Sequence, residues 1–174
     1  MSSGLTIGRF SPEARKIVCG VLKPANYRKA DRADTTDLLA SMAASETKSG
    51  EALRHNGITY GEVMTYLTYH KQKFGRDISI PTGDEDFDLG QIFSTDAKKA
   101  LTNAIALADF RDKSEVTGGE LFDILVGGLD LRESENPLAS QTLIKRIADE
   151  LGITTGDLRS TLNNLQSQSL SLAN

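Results

Sequence analysis

Apolar residues fall at helical spacing in residues 10–22, and the same pattern returns in residues 93–105. Each stretch begins with phenylalanine and serine, and matching residues recur at a constant offset of 83 positions. In the first stretch the apolar positions form one stripe at i, i+3, i+4, i+7 and i+8, which predicts an amphipathic helix. They are Ala14, Ile17, Val18, Val21 and Leu22. A pattern used twice in one chain indicates a duplicated structural unit.

Local signals divide the first unit into four helices. Ser11 is placed to cap the first helix, and Pro24 predicts a break or kink near its end. Asp34 is placed to cap a second, short helix, and Gly57 to end a third in the left-handed conformation. Thr59 begins a capping box, which predicts a fourth helix that ends near residue 70.

The second unit repeats this order. Ser94 caps its first helix, Thr117 begins a capping box, and Gly152 ends a longer helix. The last matching pair of segments, residues 57–63 and 152–158, has an offset of 95 instead of 83. The second unit has therefore gained 12 residues. We place that insertion in the loop at residues 127–137.

The predicted fold is an all-α domain of two four-helix units related by an approximate two-fold axis. Each unit alone is too small to bury much core, so we expect the two to pack together. We divide the chain into a flexible arm (1–9), unit one (10–70), a linker with a short extended piece (71–92), unit two (93–165) and a flexible tail (166–174).

Composition narrows the class of protein. Hydrophobic residues make up 39% and aromatic residues 6%, with no tryptophan, so aliphatic side chains must fill the core. The net charge of −4 argues against bulk attraction to nucleic acid or anionic membranes. No apolar run approaches the roughly 20 residues that cross a bilayer, and no secretory signal pattern is present. The single cysteine, Cys19, cannot form an internal disulfide. We therefore expect a cytoplasmic protein that does not bind membranes.

The repeated pattern F-[ST]-x-x-A-[RK]-K, a capped helix with paired apolar residues, and G-[IV]-x-x-x-x-[VL] before a last helix resembles the Clp N-terminal domain. This double-repeat module precedes Clp-type AAA+ unfoldases, and the resemblance covers residues 10–165. It implies a non-enzymatic module that needs no cofactor and docks unfoldases, adaptors or protease substrates. In some ClpC-type members such a module binds arginine-phosphorylated proteins or cyclic peptides.

The resemblance also implies a ligand groove where the two first helices approach each other. Carried over by position, the groove residues are Phe10, Arg15, Phe93 and Lys98. Two aromatic faces and two cations suit an anionic or carbonyl-rich ligand. The alternative is that both phenylalanines anchor the helix starts in the core and both cations are solvated.

Two departures from the family pattern limit the resemblance. The family's G-T-E-H-L-L glutamate, linked to phosphoarginine recognition, aligns with Thr36 and Gly119. Asp37 and Glu120 follow one position later as candidate acidic contacts. No G-x-x-x-x-G-K-[ST] motif occurs, so the chain has no P-loop for ATP hydrolysis. The resemblance therefore implies either a free-standing protein of this class or part of a larger unfoldase.

The main alternative is a helix-turn-helix DNA-binding regulator formed by residues 143–165. Ala148, Gly152 and Leu158 have its spacing, but the reading helix carries one arginine and one aspartate and attracts phosphate weakly.

Metal binding and catalysis have weaker signals. Asp84, Asp86 and Asp88 match the start of a calcium loop, but Leu89 and Thr95 replace its required glycine and glutamate. No histidine lies in a recognisable nucleophile motif, so we expect neither a metal site nor an enzyme.

Overall fold

A computed structural model describes residues 5–68, 88–127 and 138–172, and these segments are helical. The all-α prediction is confirmed. Unit one contains α1 (Pro12–Gly20), α2 (Leu22–Tyr27), α3 (Thr35–Ala44), α4 (Lys48–His55) and α5 (Tyr60–Thr68). Unit two contains α6 (Thr95–Phe110), α7 (Gly118–Val126), α8 (Ala139–Leu151) and α9 (Thr155–Leu172). Short 3-10 helices at Ile7–Arg9 and Leu89–Gln91 precede the two units.

The pair α1 and α2 corresponds to the single helix α6, with both ends matched at the offset of 83. The difference comes from Pro24, because a proline ring clashes with the carbonyl four residues earlier. That residue is Gly20, where α1 ends. In α6 the position of Pro24 is taken by Leu107, and the helix continues. The predicted break is therefore present in unit one.

The helix starts agree with the predicted caps. The Ser11 hydroxyl accepts a hydrogen bond from the Ala14 amide at 3.1 Å, and the Ser94 hydroxyl accepts one from the Ala97 amide at 3.2 Å. At the other ends, Gly57 and Gly152 adopt φ angles of +85° and +70°, as left-handed stops require.

Two short backbone pairings join the units reciprocally. Phe10 lies beside Val116, and the Ser11 amide donates to the Val116 carbonyl at 2.9 Å. Phe93 lies beside Ala33, and the Ser94 amide donates to the Ala33 carbonyl at 2.8 Å. The second pairing is the first with the partners' roles exchanged, since 10 and 93, and 33 and 116, are each 83 apart. Such an exchange is the signature of a two-fold axis.

The last helices of each unit pack against the other unit. α4 lies along α9, where the Asn56 side-chain amide donates to the Thr161 hydroxyl at 3.0 Å. α5 meets α8, where the Tyr66 hydroxyl donates to the Glu150 carboxylate. One continuous apolar core runs through both units, so they form a single packed body.

Near both ends, described residues continue the structure past the domain bounds that the sequence predicted. Residues 5–9, expected to be part of a flexible arm, pack on the core: Leu5 is buried, and Thr6 forms a backbone bridge to Asp88. α9 continues to Leu172, past residue 165 where we ended the domain. The amide-to-carbonyl ladder of a helix needs no core to continue, and apolar spacing therefore underestimated its length.

The insertion in unit two is shared between a loop and a helix. The gap between α7 and α8 is longer than that between α3 and α4, but α8 also has 13 residues where α4 has 8. Placing the whole insertion in the loop was therefore wrong. Two predictions lie outside the described residues: the helix end near residue 70 and the short extended piece at 78–80.

Candidate functional site

The reciprocal pairings bring helix starts of different units together. The start of α6 meets the start of α3, where the Ser94 hydroxyl donates to the Asp34 carboxylate at 2.9 Å. The start of α1 meets the start of α7, because Ser11 is paired with Val116. Partial positive charge at helix N-termini therefore concentrates along the junction between the units.

The four predicted groove residues lie at this junction with different degrees of exposure. Phe10 and Phe93 have no exposed area and belong to the core, so their rings present no aromatic wall to a ligand. Arg15 is half-buried, and its Nε donates to the Phe10 carbonyl at 2.8 Å. Lys98 is half-buried at the equivalent position of α6. Ligand binding by these residues stays a prediction, and the two phenylalanine rings have no exposed surface with which to contact a ligand.

The predicted acidic contacts, Asp37 and Glu120, are also fully buried. Each is the third residue of its helix and accepts a hydrogen bond from the backbone amide of the cap, completing a capping box. Asp37 pairs with Arg28, with one contact of 2.9 Å, and Glu120 accepts from Arg111 at 2.9 Å. Both carboxylates are thus occupied inside the protein, and this geometry gives them a structural role.

The two carboxylates differ in how many cations they meet. Burial raises the pKa of Asp37, and the hydrogen bond and charge of Arg28 offset this only in part. Burial also acts to raise the pKa of Glu120, but hydrogen bonds from Lys113, Thr117 and Arg111 outweigh it and lower the pKa to about 2. Unit two therefore holds its carboxylate firmly ionised, with Lys113 attached at 2.7 Å.

Lys113 also lines a cavity of about 410 Å³ between the units, which we call the inter-unit pocket. Its walls come from the starts of α1, α4 and α7 and from α9. The lining residues are Glu13, Lys48, Ser49, Lys113, Thr117, Gly118, Gly119 and Gln166. A pocket between the units was expected, but none of the four predicted groove residues belongs to this lining.

The inter-unit pocket is suited to an anionic or carbonyl-rich group. Lys48 and Lys113 supply ammonium groups, and α4 and α7 present their positive ends. Ser49, only 2% exposed, adds a hydroxyl to the wall. In the structure a carboxylate of the protein itself lies there, since the Lys48 amide donates to Glu13 at 3.3 Å.

The two-fold related position in unit one carries larger side chains. Gly118 and Gly119 correspond to Thr35 and Thr36, whose side chains are buried. The Thr35 hydroxyl accepts a hydrogen bond from the Ser140 amide at 3.1 Å, which ties the start of α3 to the start of α8. The glycine pair thus leaves space for the inter-unit pocket, whereas the threonine side chains occupy the equivalent space in unit one.

Sequence reasoning missed the residues that form this pocket. Two signals were available: the Gly118-Gly119 pair opposite Thr35-Thr36, and Arg28 opposite Arg111, both at the offset of 83. The contribution of α4 and α9 was not accessible, because it depends on helices crossing between units.

The turn at Gly152 joins α8 and α9, as the helix-turn-helix alternative requires. The buried face of α9, with Leu158 and Leu162, packs toward α4 of unit one. Arg159, its one arginine in the predicted reading segment, pairs with Asp123. The described contacts therefore give no support to DNA binding.

Metal-binding and membrane-spanning features are not found in the part of the chain that the structure describes. No group of three potential ligands is clustered there, and no helix there is long and apolar enough to cross a bilayer. Of the aspartates in the calcium alternative, Asp84 and Asp86 lie outside that part, while Asp88 accepts a hydrogen bond from the Gly90 amide at 2.8 Å.

Comparison with known proteins identifies the fold. No protein-family model and no curated protein matches the chain. The N-terminal domain of the caseinolytic protease associated chaperone ClpD from Arabidopsis thaliana is similar in structure, with a TM-score of 0.61 and 15% identity over 95% of this chain and 99% of that one. The Hsp104 N-terminal domain from Candida albicans has a TM-score of 0.56 and 17% identity over 90% of this chain and 91% of that one. The chain has the Clp N-terminal domain fold.

Proposed function

We propose that the protein is a non-catalytic docking module that binds proteins of a Clp protease system and acts as an adaptor, decoy or regulator. The observation that carries this proposal is the fold, which covers nearly the whole chain and resembles the N-terminal domains of two Clp-type chaperones. Partners of the expected class are a Clp-type unfoldase, its adaptors and protease substrates, with cyclic peptides as further ligands. Its expected location is the cytoplasm.

The inter-unit pocket is the proposed docking site. It is formed by both units, so it exists only in the folded domain, and its ammonium groups suit a peptide carbonyl or carboxylate. Glu13 shows how such a group is held, because its carboxylate accepts from the Lys48 amide. A partner's acidic or carbonyl group would take over that interaction. Arg15, at the start of α1, extends the proposed surface beside the pocket, and Lys98 is a further proposed contact at the equivalent place on α6.

Filling the pocket tests the site without disturbing the fold. A side chain at Gly119 has room, since the nearest atoms to an added Cβ are 3.5 Å away on Gln166 and Thr117. Gly119→Trp is therefore expected to fold normally and to occupy the cavity. Gly156→Trp is the matched control, because Gly156 is exposed on α9 and does not line the pocket.

The experiment is affinity capture from the host with wild type and both variants, followed by mass spectrometry and titration of the purified partner. We expect a Clp-type unfoldase, adaptor or substrate with wild type and Gly156→Trp, and its loss with Gly119→Trp. Equal capture by all three would remove the pocket from the proposal. Recovery of specific DNA without any Clp-system protein would contradict the function itself.

A further inference from the structure

A second cavity, of about 420 Å³, lies between α2 and α5, and its described lining residues all belong to unit one. We call it the tyrosine pocket, and none of its described lining residues is shared with the inter-unit pocket. Its lining residues are Lys23, Tyr27, Tyr60, Gly61, Met64 and Thr65. Its size lies within the range of small-ligand sites, which is roughly 300–1,000 Å³.

The tyrosine pocket combines an apolar surface with one cation. Met64 is buried, Tyr27 is 68% exposed, and the ring of Tyr60 faces Lys23. The Lys23 ammonium lies 5.2 Å from the centre of that ring. Lys23 is the one ionised side chain among the described lining residues, so a ligand with a negative charge is favoured.

Unit two lacks the cation, one of the two aromatic rings and the methionine. At the two-fold related positions Ala106 replaces Lys23, Thr155 replaces Tyr60, and Arg159 replaces Met64. Arg159 is bound to Asp123, so unit two has an ion pair at the position where unit one has the apolar side chain of Met64. Phe110 replaces Tyr27 and is 85% exposed. The duplication thus supplies control positions in the same chain, at Phe110 for Tyr27 and at Gly156 for Gly61.

We infer that the tyrosine pocket binds the carboxyl-terminal residue of a polypeptide whose last side chain is large and apolar. The ammonium and the aromatic wall are only 5.2 Å apart, so the negative charge and the apolar group of the ligand must be close. Successive side chains of an extended peptide point to opposite faces, and a neighbouring aspartate or glutamate would direct its carboxylate away. A terminal residue carries both groups on one Cα. In the bound state its carboxylate pairs with Lys23 and its side chain lies against Tyr27, Tyr60 and Met64.

The inference is independent of the proposed function, because it concerns another surface and a defined ligand. The test uses the full chain and fluorescein-labelled Gly-Ser-Gly-Ser-Gly-Phe, measured by fluorescence anisotropy. Three probes are compared: the free acid, the same peptide amidated, and Gly-Ser-Glu-Phe-Gly-Ser amidated, whose charge is internal. We expect saturable binding of the free acid and about tenfold or greater weakening by amidation or by an internal charge.

The variants separate the pocket from the general surface. Lys23→Ala is expected to weaken the free acid about as much as amidation does, with no further effect on the amide. Tyr27→Ala and Gly61→Phe should weaken binding, while their two-fold related controls, Phe110→Ala and Gly156→Phe, should leave it unchanged. Equal binding of acid and amide, equally tight binding of the internal-charge probe, absence of saturable binding, or an equal loss with the control variants would each overturn the inference.

Discussion

Arg28 donates from Nε and Nη2 to the two carboxylate oxygens of Asp37, and the two side chains are 9% and 0% exposed. The related arginine in unit two, Arg111, contacts Glu120 but is 31% exposed and shares that carboxylate with Lys113. Both units therefore contain the same arginine–carboxylate ion pair. In unit one the pair is buried and isolated, and in unit two it is partly exposed and belongs to a larger network of charges.

This difference predicts unequal costs for the two arginines. Arg28→Ala leaves Asp37 buried without a cation and should lower the free energy of unfolding by about 3–5 kcal/mol. Arg111→Ala should cost less, because Lys113 still donates to Glu120 and Arg159 still donates to Asp123. Urea denaturation of the two variants at neutral pH measures the difference. Equal midpoints would contradict the description of Asp37 as dependent on one cation.

Glu120 predicts a component of acid denaturation. Its pKa is about 2 in the folded protein and 4.5 ordinarily, so its ionised form is favoured by folding. The stability that it contributes is complete above pH 4.5 and is lost as pH falls toward about 2. Glu120→Gln should be less stable at neutral pH, by roughly 1–3 kcal/mol, and should show a shallower loss across that window. A stability profile by urea denaturation at each pH, with Glu115→Gln as the exposed control, checks this; parallel profiles would refute it.

Substitutions at Phe93 and at Lys98 should have different effects, on stability in the first case and on partner binding in the second. Phe93→Ala removes a fully buried ring and should cost about 3–5 kcal/mol in stability. Any binding defect in that variant would reflect unfolding. The double variant Arg15→Ala, Lys98→Ala changes two half-buried cations and should cost far less. We expect the double variant to fold and to bind the Clp-system partner more weakly. Unchanged affinity in a titration of the folded double variant would exclude these cations from the docking surface.

Gly57 and Gly152 should respond in the same direction to alanine. Both have positive φ angles, where an added Cβ is strained by roughly 1–2 kcal/mol. Gly57→Ala adds a second effect, since its Cβ would touch the Leu151 side chain at 3.4 Å, while nothing lies near the Cβ of Gly152→Ala. Thermal unfolding should show both variants less stable than wild type. A rise in the melting temperature of either one would contradict its left-handed conformation.

The sequence was informative wherever a local rule operates. Ser11, Asp34 and Ser94 cap helices because a side-chain oxygen satisfies an amide within three residues, and such a pattern is visible in one dimension. The constant offset of 83 is likewise visible in the sequence alone, and it predicted two related units. The all-α fold and the helix order followed from these signals without any knowledge of distant contacts.

The candidate site was less accessible, because it depends on which helices cross between units. A phenylalanine before a cap reads equally well as a ligand contact or as a core anchor, and only the backbone pairing of Phe10 with Val116 decides that it is buried. Asp37 appeared as a free acid because its partner, Arg28, precedes it by nine residues across a turn. That turn contains Lys29 at a φ of 54°, and its counterpart contains Asp112 at 56°. Aspartate is enriched in this left-handed conformation but lysine is not, so the residue type does not predict the turn in unit one.

The reciprocal pairing of Phe10 with Val116 and Phe93 with Ala33 has a consequence for assembly. Each unit completes the backbone hydrogen bonds of the other, and α4 lies along a helix that the other unit supplies. In this respect the two units of one chain contact each other as the two subunits of a symmetric dimer do. Residues 1–68 and 88–174, produced as separate polypeptides, should therefore fold as a complex, with a stability that rises with the concentration of the missing half.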